Sequence, residues 1–187
     1  MTDRSDEQLM LDYASGDVQA FEELFRRHGQ KLYNLFLRYC GDPHLAEDLL
    51  QECFLRVIEA RNRYRSENAF GRWLVTIAMN LLRDHHRRIS RRGERAGSET
   101  EPEALPHHGA NPQLHLERQH LHEAVQKALL ALPPEQRQVI LLSKYYGFSF
   151  AEIAAMLNLS PAAAKQKAYR GMITLREKLA HLKEHDT

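Results

Sequence analysis

Seven side chains between positions 63 and 88 are suited to a polyanion: Arg63, Arg65, Arg72, Asn80, Arg83, Arg87 and Arg88. Six guanidiniums and one amide suit a polyanion whose edges can be read. A guanidinium grips phosphate oxygens with a planar fork of donors, and an amide can bond the edge of a nucleobase. Near the other end of the chain, Lys165, Gln166, Lys167 and Arg170 repeat the combination of cations with one amide. Of the aromatic rings Tyr64, Phe70 and Trp73 in the same stretch, two bear on stacking. Tyr64 is a candidate platform on which an unpaired base stacks. Trp73 has two readings, a core side chain or a wedge that stacks between strands.

The net charge of the 187-residue chain, +1, conceals this arrangement. Residues 61–95 hold 10 arginines against 3 acids, and residues 137–187 hold 8 basic residues against 4 acidic. Residues 1–60 carry 12 acids against 6 bases, and residues 96–136 carry 6 against 2. Two basic blocks set apart by acidic stretches point to two separate contacts with a polyanion.

The elements that must position these residues read as helices throughout. Apolar residues recur at helical spacing, and no period-2 run of β-branched residues occurs. Ser5 with Gln8 forms a capping pattern, and Gly16 ends a first short helix. Asp17 caps a second, whose apolar set is Phe21, Leu24, Phe25, Leu32, Leu35, Phe36 and Tyr39, ending at Gly41. Asp42-Pro43 opens a third with Leu45, Leu49, Phe54, Val57 and Ile58 inside. On its other face Asp48, Gln51, Glu52 and Arg56 fall at i, i+3, i+4 and i+8. After an arginine-rich loop, Phe70, Trp73, Leu74, Ile77, Ala78 and Leu81 make one apolar stripe. The Gly-, Pro- and His-containing stretch 93–113 has little periodicity and reads as a linker. The expected organisation is therefore all-α, with two helical domains over 1–92 and 114–187.

In the second domain, Leu121, Ala124, Ala128, Leu129 and Leu132 mark a helix interrupted by Pro133-Pro134. Pro134 opens the next, with Val139, Ile140 and Leu142 inside and a stop at Gly147. Ser149 and Glu152 form a capping box for a short helix with Ile153, Ala154 and Leu157 inward. Asn158 stands where the chain must turn and tolerates the left-handed conformation. Ser160-Pro161 then caps a long helix running to about Leu182, with Ala164, Ala168 and Leu175 facing the core. This is the layout of a DNA-reading helix-turn-helix. Ser160, Ala162, Ala163, Lys165, Gln166, Lys167 and Arg170 lie at its groove-facing start.

Other function classes find little purchase. No apolar run reaches the roughly 18 residues that span a bilayer, and the acidic N-terminus carries no signal-peptide core, so a cytoplasmic location is expected. Cys40 and Cys53 sit at helical apolar positions and read as small hydrophobes. His107, His108, His115, His120 and His122 cluster without cysteine or a His-Glu-x-x-His spacing; the expectation is no metal and no cofactor. The chain shows no Ser/His/Asp set, phosphate-cradling glycine loop or paired carboxylates, so it is not expected to be an enzyme. A stand-alone helix-turn-helix regulator remains the alternative, but it would need a dimerisation seam and would leave the first basic block unused.

Taken together, several segments resemble the extracytoplasmic-function sigma factors of the sigma-70 family, over about 150 of the 187 residues. Ala20-Phe21-Glu22-Glu23-Leu24-Phe25 is similar to the family's opening helix. Asp48-Leu49-Leu50-Gln51-Glu52-Cys53-Phe54-Leu55-Arg56-Val57 resembles its polymerase-binding segment. Phe70-x-x-Trp73-Leu74-x-x-Ile77-Ala78-x-Asn80-x-x-x-Asp84 with Arg87-Arg88 resembles its promoter-melting helix. Leu132-Pro133-x-x-x-Arg137-x-Val139-Ile140-x-Leu142 and Gly147-x-Ser149-x-x-Glu152-Ile153-Ala154 resemble its fourth domain. The resemblance implies a protein made of sigma domains 2 and 4 that binds the beta and beta-prime subunits of core RNA polymerase. It implies that Asp48, Gln51, Glu52, Phe54 and Arg56 contact the polymerase. Arg63, Arg65, Arg72, Trp73, Asn80, Arg83, Asp84, Arg87 and Arg88 would contact the −10 element and help melt it, and the helix-turn-helix would contact the −35 element. It also implies an anti-sigma partner. Two places depart from the family pattern. The recognition helix reads Ala163-Ala164-Lys165-Gln166-Lys167 where Thr-Val-Lys-Ser-Arg is usual, and Arg170-Gly171 stands for Arg-Ala. Glycine inside a helix costs about 1 kcal/mol relative to alanine, which points to a close neighbour there.

Overall fold

Caps and left-handed turns divide the chain as the spacing predicts. The computed structural model describes residues 4–92 and 112–180, with side chains over 4–89 and 120–180. The described residues are helical with no strand. They fall into two compact units, residues 1–36 with 44–98, and residues 37–43 with 99–187.

In the first unit, α1 (Asp6–Ala14) starts where the Ser5 hydroxyl oxygen accepts the Gln8 N–H. It stops at Gly16, whose φ of 110° suits glycine. Asp17 accepts the Ala20 N–H at 3.2 Å and opens α2 (Val18–Cys40). Gly41, at φ 75°, ends α2, whose last residues, 37–40, belong to the second unit, and Pro43 begins α3 (Pro43–Ala60). A single 3-10 turn, Arg61–Arg63, leads into the loop before α4 (Phe70–Arg92). Leu24, Leu32, Leu35 and Phe36 of α2 and Leu49, Cys53 and Val57 of α3 are all buried. A fully buried Phe or Leu contributes roughly 1.5–3 kcal/mol.

Two expectations about packing change here. The stripe expected on α4 was Phe70, Trp73, Leu74, Ile77, Ala78 and Leu81. In the structure Val75, Met79 and Leu82 are also fully enclosed, while Trp73 and Ile77 are only half-buried. The buried face is wider than one stripe because α4 is covered on more than one side, α1 being among its neighbours. Phe25, expected inside, is 45% exposed, its ring 4.7 Å from that of Phe54 and over Gly29.

The second unit comprises α5 (Pro112–Leu130), α6 (Pro134–Ile140), a π-helical turn (Leu141–Tyr145), α7 (Phe150–Leu157) and α8 (Pro161–Leu179). Helix α5 begins at Pro112, and most of the expected linker, 93–111, lies outside the described residues. Leu121, expected inside, is half exposed. Arg137, itself largely buried, donates to the carbonyls of Leu130 and Leu132 and so closes the C-terminal end of α5 onto α6. Gly171 answers the question its sequence raised. A Cβ there would lie 2.5 Å from Ile140 Cδ1 and 3.3 Å from Gln136 Cβ, so α6 crosses α8 closely at this point and any side chain there would have to displace Ile140.

Candidate nucleic-acid and polymerase interfaces

The helix-turn-helix is built from local signals. Ser149 Oγ accepts the Glu152 N–H, and the Glu152 carboxylate accepts the Ser149 N–H at 2.9 Å, so the capping box closes in both directions. Such a cap stabilises a helix by about 1 kcal/mol. Asn158 takes φ 56° and ψ 50°, the one left-handed non-glycine residue among those described. The Leu159 N–H then returns to the Ala154 carbonyl at 2.9 Å. Ser160 Oγ accepts the Ala163 N–H, and Pro161 occupies the first turn of α8. Ala154, Ala164 and Ala168 are buried.

The start of α8 therefore presents Ala162, Lys165, Gln166 and Arg170 to solvent. Ser160 is exposed but its oxygen serves as the cap, and Ala163 is half-buried. Lys167 departs from the expected outward face. It is half-buried and its ammonium is ion-paired with Glu135 of α6. Tyr169, one turn beyond Lys165 and 69% exposed, belongs to the same face and was not singled out from sequence. Its signal was the i, i+4 spacing from Lys165 on the side opposite Ala164 and Ala168.

On α4, Arg72, Asn80, Arg83, Arg87 and Arg88 are exposed, as are Arg63 and Arg65 in the preceding loop. Asp84 has a different place from the cations. It accepts from Arg56 of α3 at 3.4 Å and lies 3.8 Å from Arg87, so it steadies two guanidiniums. His85, half-buried beside it, has its pKa lowered by burial and by Arg88.

The candidate base platform Tyr64 is not free. Its side chain is 7% exposed, its hydroxyl donates to the Asn68 carbonyl at 2.7 Å, and its ring packs edge-on against Trp73 at 5.0 Å. Burial pushes its phenol up to about 12. Tyr64 and Trp73 together hold the loop against the helix.

The start of α4 is held from far away. Ala69 precedes Phe70 and offers no side-chain acceptor. Instead the Phe70 N–H donates to Glu7 Oε1 of α1 at 2.9 Å, and this bond holds the Glu7 carboxyl below its ordinary range. Nothing in the sequence marks a partner 63 positions away.

On α3, Asp48, Gln51 and Glu52 are exposed, and Arg56 is half-buried with its Nε donating to Glu52 at 3.0 Å. Phe54, expected to contact polymerase, is buried at 4% exposure beneath Phe21 and Phe25. It is a core residue on the same side of α3 as Val57, three positions on, which is also buried. Leu55, 54% exposed, is the apolar side chain α3 presents beside Gln51 and Glu52.

Both cysteines are free, and burial pushes the Cys40 and Cys53 thiols up to about 12, so neither is a thiolate near neutrality. Among the described residues no group of three or more His, Cys, Asp or Glu is placed to hold a metal ion. His107 and His108 lie outside the described residues. No described helix is long and apolar enough to cross a membrane.

Comparison with known proteins finds family matches in both halves of the chain. The model of Sigma-70 region 2 matches residues 24–92, and that of Sigma-70, region 4 matches residues 122–175. The RNA polymerase sigma factor CarQ of Myxococcus xanthus is 40% identical over 176 residues, covering 92% of this chain and 97% of that protein. The ECF RNA polymerase sigma factor SigW of Bacillus subtilis is 31% identical over 173 residues, 89% of this chain and 92% of that protein. Among solved structures, CnrH in complex with the cytosolic domain of CnrY is 28% identical, with a TM-score of 0.66 over 98% of this chain and 100% of that one. Matches to both regions favour this family over a self-contained helix-turn-helix regulator.

Proposed function

Because the chain belongs to the extracytoplasmic-function RNA polymerase sigma factors of the sigma-70 family, we propose a division of labour between its exposed faces. As a sigma factor it binds core RNA polymerase and directs promoter-specific initiation. In this reading α3 docks on the beta and beta-prime subunits through Asp48, Gln51, Glu52 and Leu55. Helix α4 and its preceding loop hold the melted −10 strand, with Asn80 reading a base edge and Arg63, Arg65, Arg72, Arg83, Arg87 and Arg88 holding phosphates. The start of α8 reads the −35 element, with Gln166 on a base edge and Lys165 and Arg170 on phosphates. The domain limits proposed are 1–92 and 114–187, joined by 93–113. The chain performs no covalent chemistry of its own and works in the cytoplasm, where the polymerase is.

The observation that carries this reading is the pair of exposed amide-plus-cation faces, one in each unit. An anti-sigma factor is the proposed regulator, in keeping with the solved complex of its relative CnrH with the cytosolic domain of CnrY. A single-strand reader needs a melted duplex, which only the holoenzyme maintains. The purified protein should therefore bind promoter duplex weakly, and core polymerase should make binding tight and sequence-specific. Tight, specific duplex binding by the free protein would overturn the reading.

A further inference from the structure

Helix α1 carries two consecutive acids that grip two different helices. Asp6 accepts from Arg27 at 2.9 Å and lies 2.6 Å from His28 Nε2, both on α2. Glu7 reaches the other way, to the Phe70 N–H that begins α4. Phe70 is fully buried, its ring 5.3 Å from that of His28 and 6.0 Å from that of Tyr64. The segment that carries Arg63, Arg65 and Arg72 is therefore fixed at its turn into α4 by a side chain from outside it.

The first N–H groups of a helix have no partner within it, and a buried one left unpaired is costly. Asp or Glu near a helix N-terminus also complements the helix dipole. If Glu7 withdraws, the easiest relief is for the first turn of α4 to unwind until the Phe70 N–H meets water. That turn holds Arg72 and Trp73, and Trp73 supports Tyr64, which closes the loop onto Asn68. Base reading needs side chains held within about 0.5 Å of the productive position. A frayed first turn fails that requirement while most of the buried core stays in place.

We propose that Glu7 is a positioning residue for reading the −10 element: it fixes the first turn of α4 and the loop before it, without touching DNA. This rests on the assignment of α4 to the −10 element made above. The nearby acids and bases fit the role. Asp6, Arg27 and Glu23 form a network, Glu23 accepting from Arg26 and Arg27, that pins α1 to α2 and leaves Glu7 free of a competing cation among the bonds described.

The test uses holoenzyme reconstituted from the full chain and core polymerase, transcribing a promoter library randomised in both elements. The variants are Glu7→Ala, Glu7→Gln, Glu7→Asp and Asn80→Ala. Glu7→Ala should flatten base preference at one or more −10 positions by at least about 5-fold. Its −35 preference and its affinity for core should stay within about 2-fold of the parent. Glu7→Gln keeps an acceptor at the same reach and should retain most of the −10 preference. Glu7→Asp is one methylene short and should behave like Glu7→Ala, and it stands in for that variant if Glu7→Ala does not fold. Unchanged −10 preference in Glu7→Ala and Glu7→Asp, or an equal loss on all sequences, would overturn the inference. Asn80→Ala separates this from the reading beneath it. If Asn80→Ala leaves −10 preference intact, the assignment of α4 fails; if it flattens preference while the Glu7 variants do not, only the positioning role fails.

Discussion

Helices α4 and α8 carry comparable chemistry but are started in opposite ways. α8 is capped by its immediate neighbours, Ser160 and Pro161, after a turn made by Asn158. α4 has alanine at the same place and takes its cap from Glu7 on another helix. A locally capped helix keeps its groove-facing start whatever happens elsewhere in its unit. A helix capped from a distance depends on the whole unit being assembled. Under the proposed function, the difference suits a duplex reader in one case and a single-strand reader, active only in an assembled complex, in the other.

The sharpest way to break this picture lies outside both helices. Replacing Asp48 and Glu52 together by lysine should abolish core binding, a loss of more than about 100-fold in affinity measured by titration with labelled core. Both residues are exposed, so stability should move by under about 1 kcal/mol. An intact complex on gel filtration would remove α3 from the polymerase interface.

The comparison itself is tested by paired substitutions. Asn80→Ala should flatten −10 preference alone, and Gln166→Ala should flatten −35 preference alone. Each should cost about 1–3 kcal/mol of discrimination at one or two positions, read by transcription from a promoter library. Crossed effects would mean that the two units are assigned to the wrong elements.

How far the sequence reached follows the same division. The capping box at Ser149, the left-handed Asn158, the cap at Ser160 and the close neighbour of Gly171 all depend on a few adjacent residues or on one conformational demand. Each was readable from residue type and spacing. Spacing put Phe54 inside, as the structure has it, and only the resemblance gave it a polymerase contact; Tyr64 lies in a loop, where spacing cannot say whether a neighbouring element will cover an aromatic ring. Lys167 was expected outward because Glu135, its partner, lies on another helix. Glu7 carries no mark of this role in the sequence, since it looks like any acid in the first turn of a helix. Local chemistry is written in sequence, and cross-element capping is not.

Packing gives a third contrast. Gly171→Leu should destabilise the second unit by about 2–3 kcal/mol, because side-chain atoms must displace Ile140 and Gln136 where α6 crosses α8. The chain has one tryptophan, Trp73, in the first unit. Its fluorescence transition in urea should be unchanged, while the helical circular-dichroism transition acquires an earlier phase. Movement of both together would show that the two units unfold as one.

Acid should distinguish the units as well. The depressed carboxyls resolved among the described residues lie in the first unit: Glu7 through the Phe70 N–H, Asp17 through Arg4, and Glu23, at about 2, through Arg26 and Arg27. A carboxyl depressed by folding adds stability above its ordinary value and loses that contribution as pH falls through its folded value. The Trp73 transition should therefore weaken progressively below about pH 4.5, the ordinary glutamate value, on the way toward pH 2. Part of that loss should disappear in Glu7→Gln. An acid limb identical in Glu7→Gln and the parent would mean that the Glu7 carboxylate adds nothing at the start of α4.

The smallest expected effect concerns the two lysines at the start of α8. A lysine that neutralises a phosphate contributes about one unit to the slope of log affinity against log salt. Lys165 is exposed and should contribute close to that. Lys167 is half-buried and tied to Glu135, so DNA must compete with a carboxylate already in place. Lys165→Ala should lower the holoenzyme's salt slope by about one unit, and Lys167→Ala by clearly less. Glu135→Gln supplies the complementary arm, because freeing the Lys167 ammonium should raise the slope toward a full additional contact. That gain should vanish when Glu135→Gln is combined with Lys167→Ala. Equal slopes for the two lysine variants, with no response to Glu135→Gln, would mean that Lys167 leaves Glu135 and turns to the DNA when the promoter binds, and that the outward face read from sequence is the one used in the complex.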